Sequence, residues 1–130
     1  MNNSKGLRIA ATVVRYLLGV IFVVFGLNGF LNFIPAPEMS GAAGAFMGGL
    51  FQSGYFFPMV KALEIIAGVL LLIGAYVPLG TAILGPITLN IFLFHAALEP
   101  SSLPIGAVVF LGNIFLAWTY REHFKGVFAK

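Results

Sequence analysis

Cysteine and aspartate are both absent from this sequence. Without cysteine, the chain forms no disulfide, no thiolate–metal site and no thiol redox relay of its own. Without aspartate, and with its serines at loop ends and near the N-terminus, it offers no Ser-His-Asp constellation. Charge is also scarce. Charged residues make up 8% of the 130 positions, against about 25% in a soluble domain. A nucleotide-binding loop is missing as well, because the glycine-rich stretch at 41–54 lacks the G-x-x-x-x-G-K-[ST] pattern. The two histidines fall at different membrane depths, so one chain cannot easily bring both to a haem. His95 falls near one membrane face, and His123 lies beyond the other end of the last apolar run. No metal site and no haem are expected from this chain alone.

What the sequence does have is apolar surface. Hydrophobic residues make up 60% of the chain, and the mean hydropathy is +1.03. With so little polar surface, most of the chain must be solvated by lipid. The length allows a single domain, residues 1–130. The net charge of +3 comes mainly from the two ends. It therefore reads as membrane orientation, with no nucleic-acid partner implied.

A spanning helix needs about 20 mainly apolar residues. Four stretches qualify: about 9–31, 58–77, 79–98 and 103–120. The first could be mistaken for a secretory signal, with Lys5 and Arg8 as its basic region. It is too long for an apolar signal region of about 7–15 residues, and no small-residue cleavage site follows. It is read as a spanning helix. The fold class is therefore all-α, a transmembrane four-helix bundle.

Tyr76 to Gly80 reads as the turn between the second and third spans, and Glu99 to Ser102 as the next connection. Pro58 and Pro104 sit near helix starts, where a missing N–H costs nothing. The first connection is longer. Ala43, Phe46, Met47, Leu50 and Phe51 form a helical stripe within it, so Pro37 to about Gln52 reads as a short amphipathic helix. It either lies in the interface plane or re-enters the bundle.

Basic residues flank both termini: Lys5, Arg8 and Arg15 at one end, and Arg121, Lys125 and Lys130 at the other. The first and third connections carry only Glu38 and Glu99. The positive-inside rule then puts both termini in the cytoplasm and the long first connection outside. The expected location is the cell membrane, the inner membrane if the source is bacterial. Tyr16, Trp118 and Tyr120 fit an interfacial aromatic belt.

Polar residues inside the spans are few, and ionisable groups in hydrocarbon are functional candidates. Lys61 and Glu64 are three apart and share a helix face. They either neutralise each other near the interface or place a protonatable carboxyl in a pocket. His95 ends the third span. Asn90 lies five residues deeper, a rotation of about 140°, so only one of the two should face a common pocket. Asn28 ends the first span, and Asn113 sits within the fourth. Asn28, Lys61, Glu64, Asn90 and His95 all fall in the outer half, where they point to one ligand site capped by the first connection. The span glycines, Gly19, Gly26, Gly29, Gly68, Gly74, Gly80, Gly85, Gly106 and Gly112, fit close helix packing.

The stretch from Lys61 to Gly74 resembles the E-x-x-x-G-x-x-L-x-x-G signature of DoxX-like membrane proteins, with Glu64, Gly68, Leu71 and Gly74 at its fixed positions. Asn90 to His95 is similar to that family's third helix, which often ends in histidine. Phe25-Gly26-Leu27 is similar to its first-helix glycine motif. The resemblance implies four helices with a longer first connection, and it places Glu64 and His95 at the family's polar positions. The sequence departs from the pattern twice. Gly29 stands where many members have lysine, and Pro78-Leu79-Gly80 fills a turn where many have arginine.

The family takes its name from a small subunit of a thiosulfate:quinone oxidoreductase. The resemblance therefore implies a link to membrane redox chemistry, although family membership does not fix an activity. Three classes of function remain open. One is a redox-associated subunit binding a quinone or similar lipid, with Phe22, Phe25, Phe92 and Phe94 lining its site. The second is a non-enzymatic scaffold for a partner membrane or redox protein. The third is a small transporter built from several copies. Whether the chain is itself an enzyme stays open.

Overall fold

The computed structural model describes residues 5–33 and 40–128. Glu38 and Lys130, used above in the charge pattern, lie outside them, as does the expected helix start at Pro37. Five α-helices follow in order: α1 Lys5–Leu31, α2 Gly41–Gln52, α3 Phe56–Ile73, α4 Val77–Ala97 and α5 Leu103–Thr119. A 3₁₀ turn, Pro100–Ser102, precedes α5, and a 3₁₀ segment, Arg121–Phe128, follows it. No strand occurs among the described residues. Helices α1, α3 and α4, and α5 with its preceding turn, are each long and apolar enough to cross a membrane.

The spans agree with the sequence reading to within a few residues, and the largest differences have local causes. Helix α1 begins four residues earlier than expected, at Lys5. Helix α3 stops at Ile73 rather than Val77, because Gly74 takes a left-handed conformation at φ +73° and donates its N–H to the Leu70 carbonyl at 3.0 Å. That is a glycine C-cap. Gly74 is thus a helix stop rather than a mid-helix packing residue. The true turn is Gly74 to Tyr76, and Pro78 belongs to the first turn of α4, where proline is tolerated. In the first connection, α2 starts on Gly41 at φ +62°, another conformation that suits glycine.

The four long helices form an up-down-up-down ring in the order α1, α3, α4, α5, with α5 closing back on α1. Each neighbouring pair is antiparallel; short connections require it for α3–α4 and α4–α5, and the Gly19–Leu72 and Gly29–Lys61 contacts show it for α1–α3. Both ends of the described chain lie at one end of the bundle, and α2 lies at the other.

The closest approach is between α1 and α3. A Cβ on Gly68 would sit 3.0 Å from the Gly19 carbonyl oxygen, and a Cβ on Gly19 would sit 3.1 Å from the Gly68 carbonyl oxygen. The two backbones touch there, and small residues make that possible. Gly80 similarly lets α4 approach Ala67 on α3, and Gly106 lets α5 approach Ile91 on α4. The interior is filled by Leu18, Phe22, Ala67, Leu71, Leu84, Val109 and Leu116. Thr88 and Thr119 are fully buried, and each returns its hydroxyl to a carbonyl of its own helix.

The outside is as apolar as the inside. Leu17, Ile66, Val108 and Leu111 are all at least half exposed, on four different turns of three helices. Water-soluble monomers rarely expose contiguous apolar patches beyond a few hundred Å². With four such helices, the protein is a multi-pass membrane protein.

Candidate functional site

The ionisable groups at the α2 end arise from helical spacing and small neighbours. Lys61 and Glu64 are one turn apart on α3, and Lys61 Nζ lies 3.4 Å from Glu64 Oε1. Glu64 continues the buried stripe of Ala67, Gly68 and Leu71, so its carboxylate faces the bundle and is 5% exposed. It sits about 12 Å below the first residue of α3 at about 1.5 Å per residue.

Lys61 can lie alongside α1 because Gly29 has no side chain, and a Cβ there would collide with the lysine stem. The resemblance had put a lysine at Gly29's place in many family members. Here the ammonium in that region comes from α3 instead. Lys61 Nζ also sits 5.2 Å from the centre of the Phe57 ring, within cation–π range. Asn28, half-buried on α1, is likewise engaged within the structure.

His95 forms a second cluster. It continues the inward stripe of Leu84, Thr88 and Ile91 on α4 and is half-buried. Its Nδ1 and Ser102 Oγ share a 2.6 Å hydrogen bond. Its ring packs over Gly106 on α5, where a Cβ would come within 2.8 Å of His95 Cδ2. Asn90 does not join either cluster. It is exposed on the outer face of α4, as the rotation of about 140° from His95 allows.

The polar residues therefore form two groups rather than one. Lys61 and Glu64 sit between α1 and α3, and His95 and Ser102 sit between α4 and α5. Among the described residues, no ion pair joins Glu64 to His95.

Helix α2 touches an aromatic neighbour of each group. Phe51 stacks on Phe57 at 4.1 Å between ring centroids, next to Lys61. Phe46 meets Phe94 at 5.5 Å, and Phe94 meets the His95 ring edge-on at 5.3 Å. Ala43 is buried beneath α2, and Phe51, the last residue of the expected apolar stripe, remains exposed.

Two residues were not singled out by the sequence for the roles they play. The sequence places Ser102 in a connection. Its place seven residues after His95, across a proline turn, is the only sequence signal for the pairing. The sequence presents Arg15 as a flanking charge that orients the chain. In the structure it is half-buried and donates from Nη1 to the Leu71 carbonyl, one of the last-turn carbonyls of α3 that has no intrahelical partner. Asn113 is buried, and its Nδ2 donates to the Thr81 carbonyl at 3.2 Å, while its Oδ1 has no partner among the described residues.

Two shallow, open surface depressions lie at the opposite end, by the termini. One, of about 630 Å³, is lined by Ile114, Ala117, Trp118, Arg121, Phe124 and Lys125. The other follows Lys5, Arg8 and Ile9. Among the described residues, no three metal-ligating side chains cluster.

No curated protein and no solved structure gives a significant match to this chain. The DoxX family profile matches residues 10–96, a segment that contains most of α1, all of α2 and α3 and nearly all of α4, with Glu64 and His95 inside it. That match covers more than half of the sequence, and the chain belongs to the DoxX family of membrane proteins.

Proposed function

We propose that this protein is a redox-associated membrane subunit that holds the head of a quinone or a similarly amphipathic lipid at the α2 end of the bundle. The observation that carries the reading is the position of α2. It contacts Phe57 beside the Lys61–Glu64 pair and Phe94 beside His95, and so reaches the neighbourhood of both polar groups. A buried carboxylate in a spanning helix is costly and is a functional candidate by default.

The residue types suit a quinone. Its carbonyl oxygens would take hydrogen bonds from the Lys61 ammonium and the His95 imidazole, and its ring would lie against the flat apolar faces of Phe57 and Phe94. A bound quinone would supply the electron-accepting chemistry, and the chain would bind it, orient it and exclude water. Any thiol chemistry would come from a partner protein, because this chain has no cysteine. The basic ends orient the site toward the outer face of the membrane.

The test is mass spectrometry of lipids that co-purify in mild detergent, with a visible spectrum of the same sample. A stoichiometric quinone that falls at least tenfold in Glu64→Gln or His95→Ala supports the reading. If only bulk phospholipid appears in wild type and both variants, the redox reading fails. A scaffold role, with a stable protein partner, then becomes the better account.

A further inference from the structure

We propose that two copies of this chain associate through the outer face of α4, with Asn90 of each copy hydrogen-bonded across a two-fold axis along the membrane normal. Asn90 is exposed, seven residues before the end of α4 at Ala97. That places it about 10 Å inside the helix end at about 1.5 Å per residue, within hydrocarbon. Its side chain makes no hydrogen bond within the described chain. A primary amide facing acyl chains has two donors and an acceptor with no water to satisfy them.

A residue that interrupts the helix hydrogen-bond ladder lies on the same stripe. Pro86 is exposed one turn below Asn90 and has no N–H for the carbonyl of Ala82, one turn further down. Ala82, Pro86, Leu89, Asn90 and Leu93 share one exposed face, on which the first two side chains are short enough for another helix to approach closely.

A second copy is the occupant that these facts select. Copies inserted with the same topology hold every residue at the same depth, so a two-fold axis along the normal brings Asn90 to its own counterpart. An amide is self-complementary, since each can donate to the other's oxygen. A different partner would need an unrelated polar residue at that same depth. The contact is isologous and closes at two copies. It uses the face of α4 opposite His95, so it leaves the α2 end free and does not depend on the ligand reading.

The absence of cysteine provides a clean test. Single cysteines are introduced at Leu89, Leu93, Ile66 or Leu111 in the full chain, which is then reconstituted in liposomes and oxidised. Leu89→Cys or Leu93→Cys is expected to give a cross-linked dimer, and Ile66→Cys and Leu111→Cys, on α3 and α5, are not. Adding Asn90→Leu should weaken the dimer about tenfold, the scale of one to two interhelical hydrogen bonds. Asn90→Gln should retain most of it. Because Asn90 is on the outside, thermal unfolding of monomer in detergent should be unchanged in both variants. Equal cross-linking from all four positions, a monomer at every protein-to-lipid ratio, or a dimer indifferent to Asn90→Leu overturns the proposal.

Discussion

Lys61 and Glu64 show what a single residue can decide in this protein. Their attraction offsets only part of the cost of taking both charges out of water, and removing one partner of a buried pair typically costs about 3–5 kcal/mol. Lys61→Met leaves Glu64 buried beside α1 with no cation. It should lower stability by about that amount, read as a fall in thermal midpoint in detergent. The double variant Lys61→Met/Glu64→Leu removes both charges and should recover most of the loss. If the double variant is stable and no longer retains the co-purified lipid, the pair acts on a ligand beyond holding the helices. If the single variant is as stable as wild type, the pair is more solvated than its burial indicates.

At the scale of elements, the same residue type has opposite consequences in two helices. Gly68 lies at the α1–α3 crossing, where an added Cβ would come within 2.8 Å of Val23 Cγ2 and 3.0 Å of the Gly19 carbonyl oxygen. Backbone atoms cannot give way as a flexible side chain can. Gly68→Ala should therefore destabilise by about 1–3 kcal/mol through overpacking. Gly49 lies inside α2, exposed, with open space around its Cβ position. Gly49→Ala should stabilise α2 by up to about 1 kcal/mol through helix propensity alone. Thermal unfolding followed by circular dichroism checks both. A Gly68→Ala variant as stable as wild type would mean that α1 and α3 are further apart than described. Arg15 is a third element-scale device, tying the end of α3 to α1 through a charged hydrogen bond.

For the whole molecule, the antiparallel ring fixes which segments share a side. Gln52 at the end of α2 and Lys125 after α5 lie at opposite ends of the bundle. In this cysteine-free background, Gln52→Cys should react with an impermeant maleimide from outside intact cells. Lys125→Cys should react only after permeabilisation if the orientation expected from the basic flanks holds. Labelling of both from the same side would contradict the antiparallel arrangement. The reverse pattern would keep the fold and invert the orientation. The packed interior bears on the transport alternative. Leu71, Leu84 and Leu116 are fully buried, so apolar side chains occupy the middle of a single bundle among the described residues.

The sequence alone determined the solvent, the number of crossings and the family. These depend on runs of apolar residues about 20 long and on local spacing. They also depend on a motif whose Glu64, Gly68 and Leu71 recur at helical intervals. All of this is short-range information. Spacing also showed that Asn90 and His95 point in different directions, but not which one faces inward. That depends on which side of α4 meets α3 and α5, and the tertiary structure put His95 inside and Asn90 outside. It likewise turned Arg15 from a flanking charge into a cap on a helix 56 residues away, and brought Ser102 onto His95. The five polar candidates looked like one site because they share a half of the membrane. The fold divided Lys61, Glu64 and His95 between two helix pairs, left Asn28 half-buried on α1 and put Asn90 on the lipid face. Depth follows from position along a helix, but direction follows from which neighbours the helix packs against.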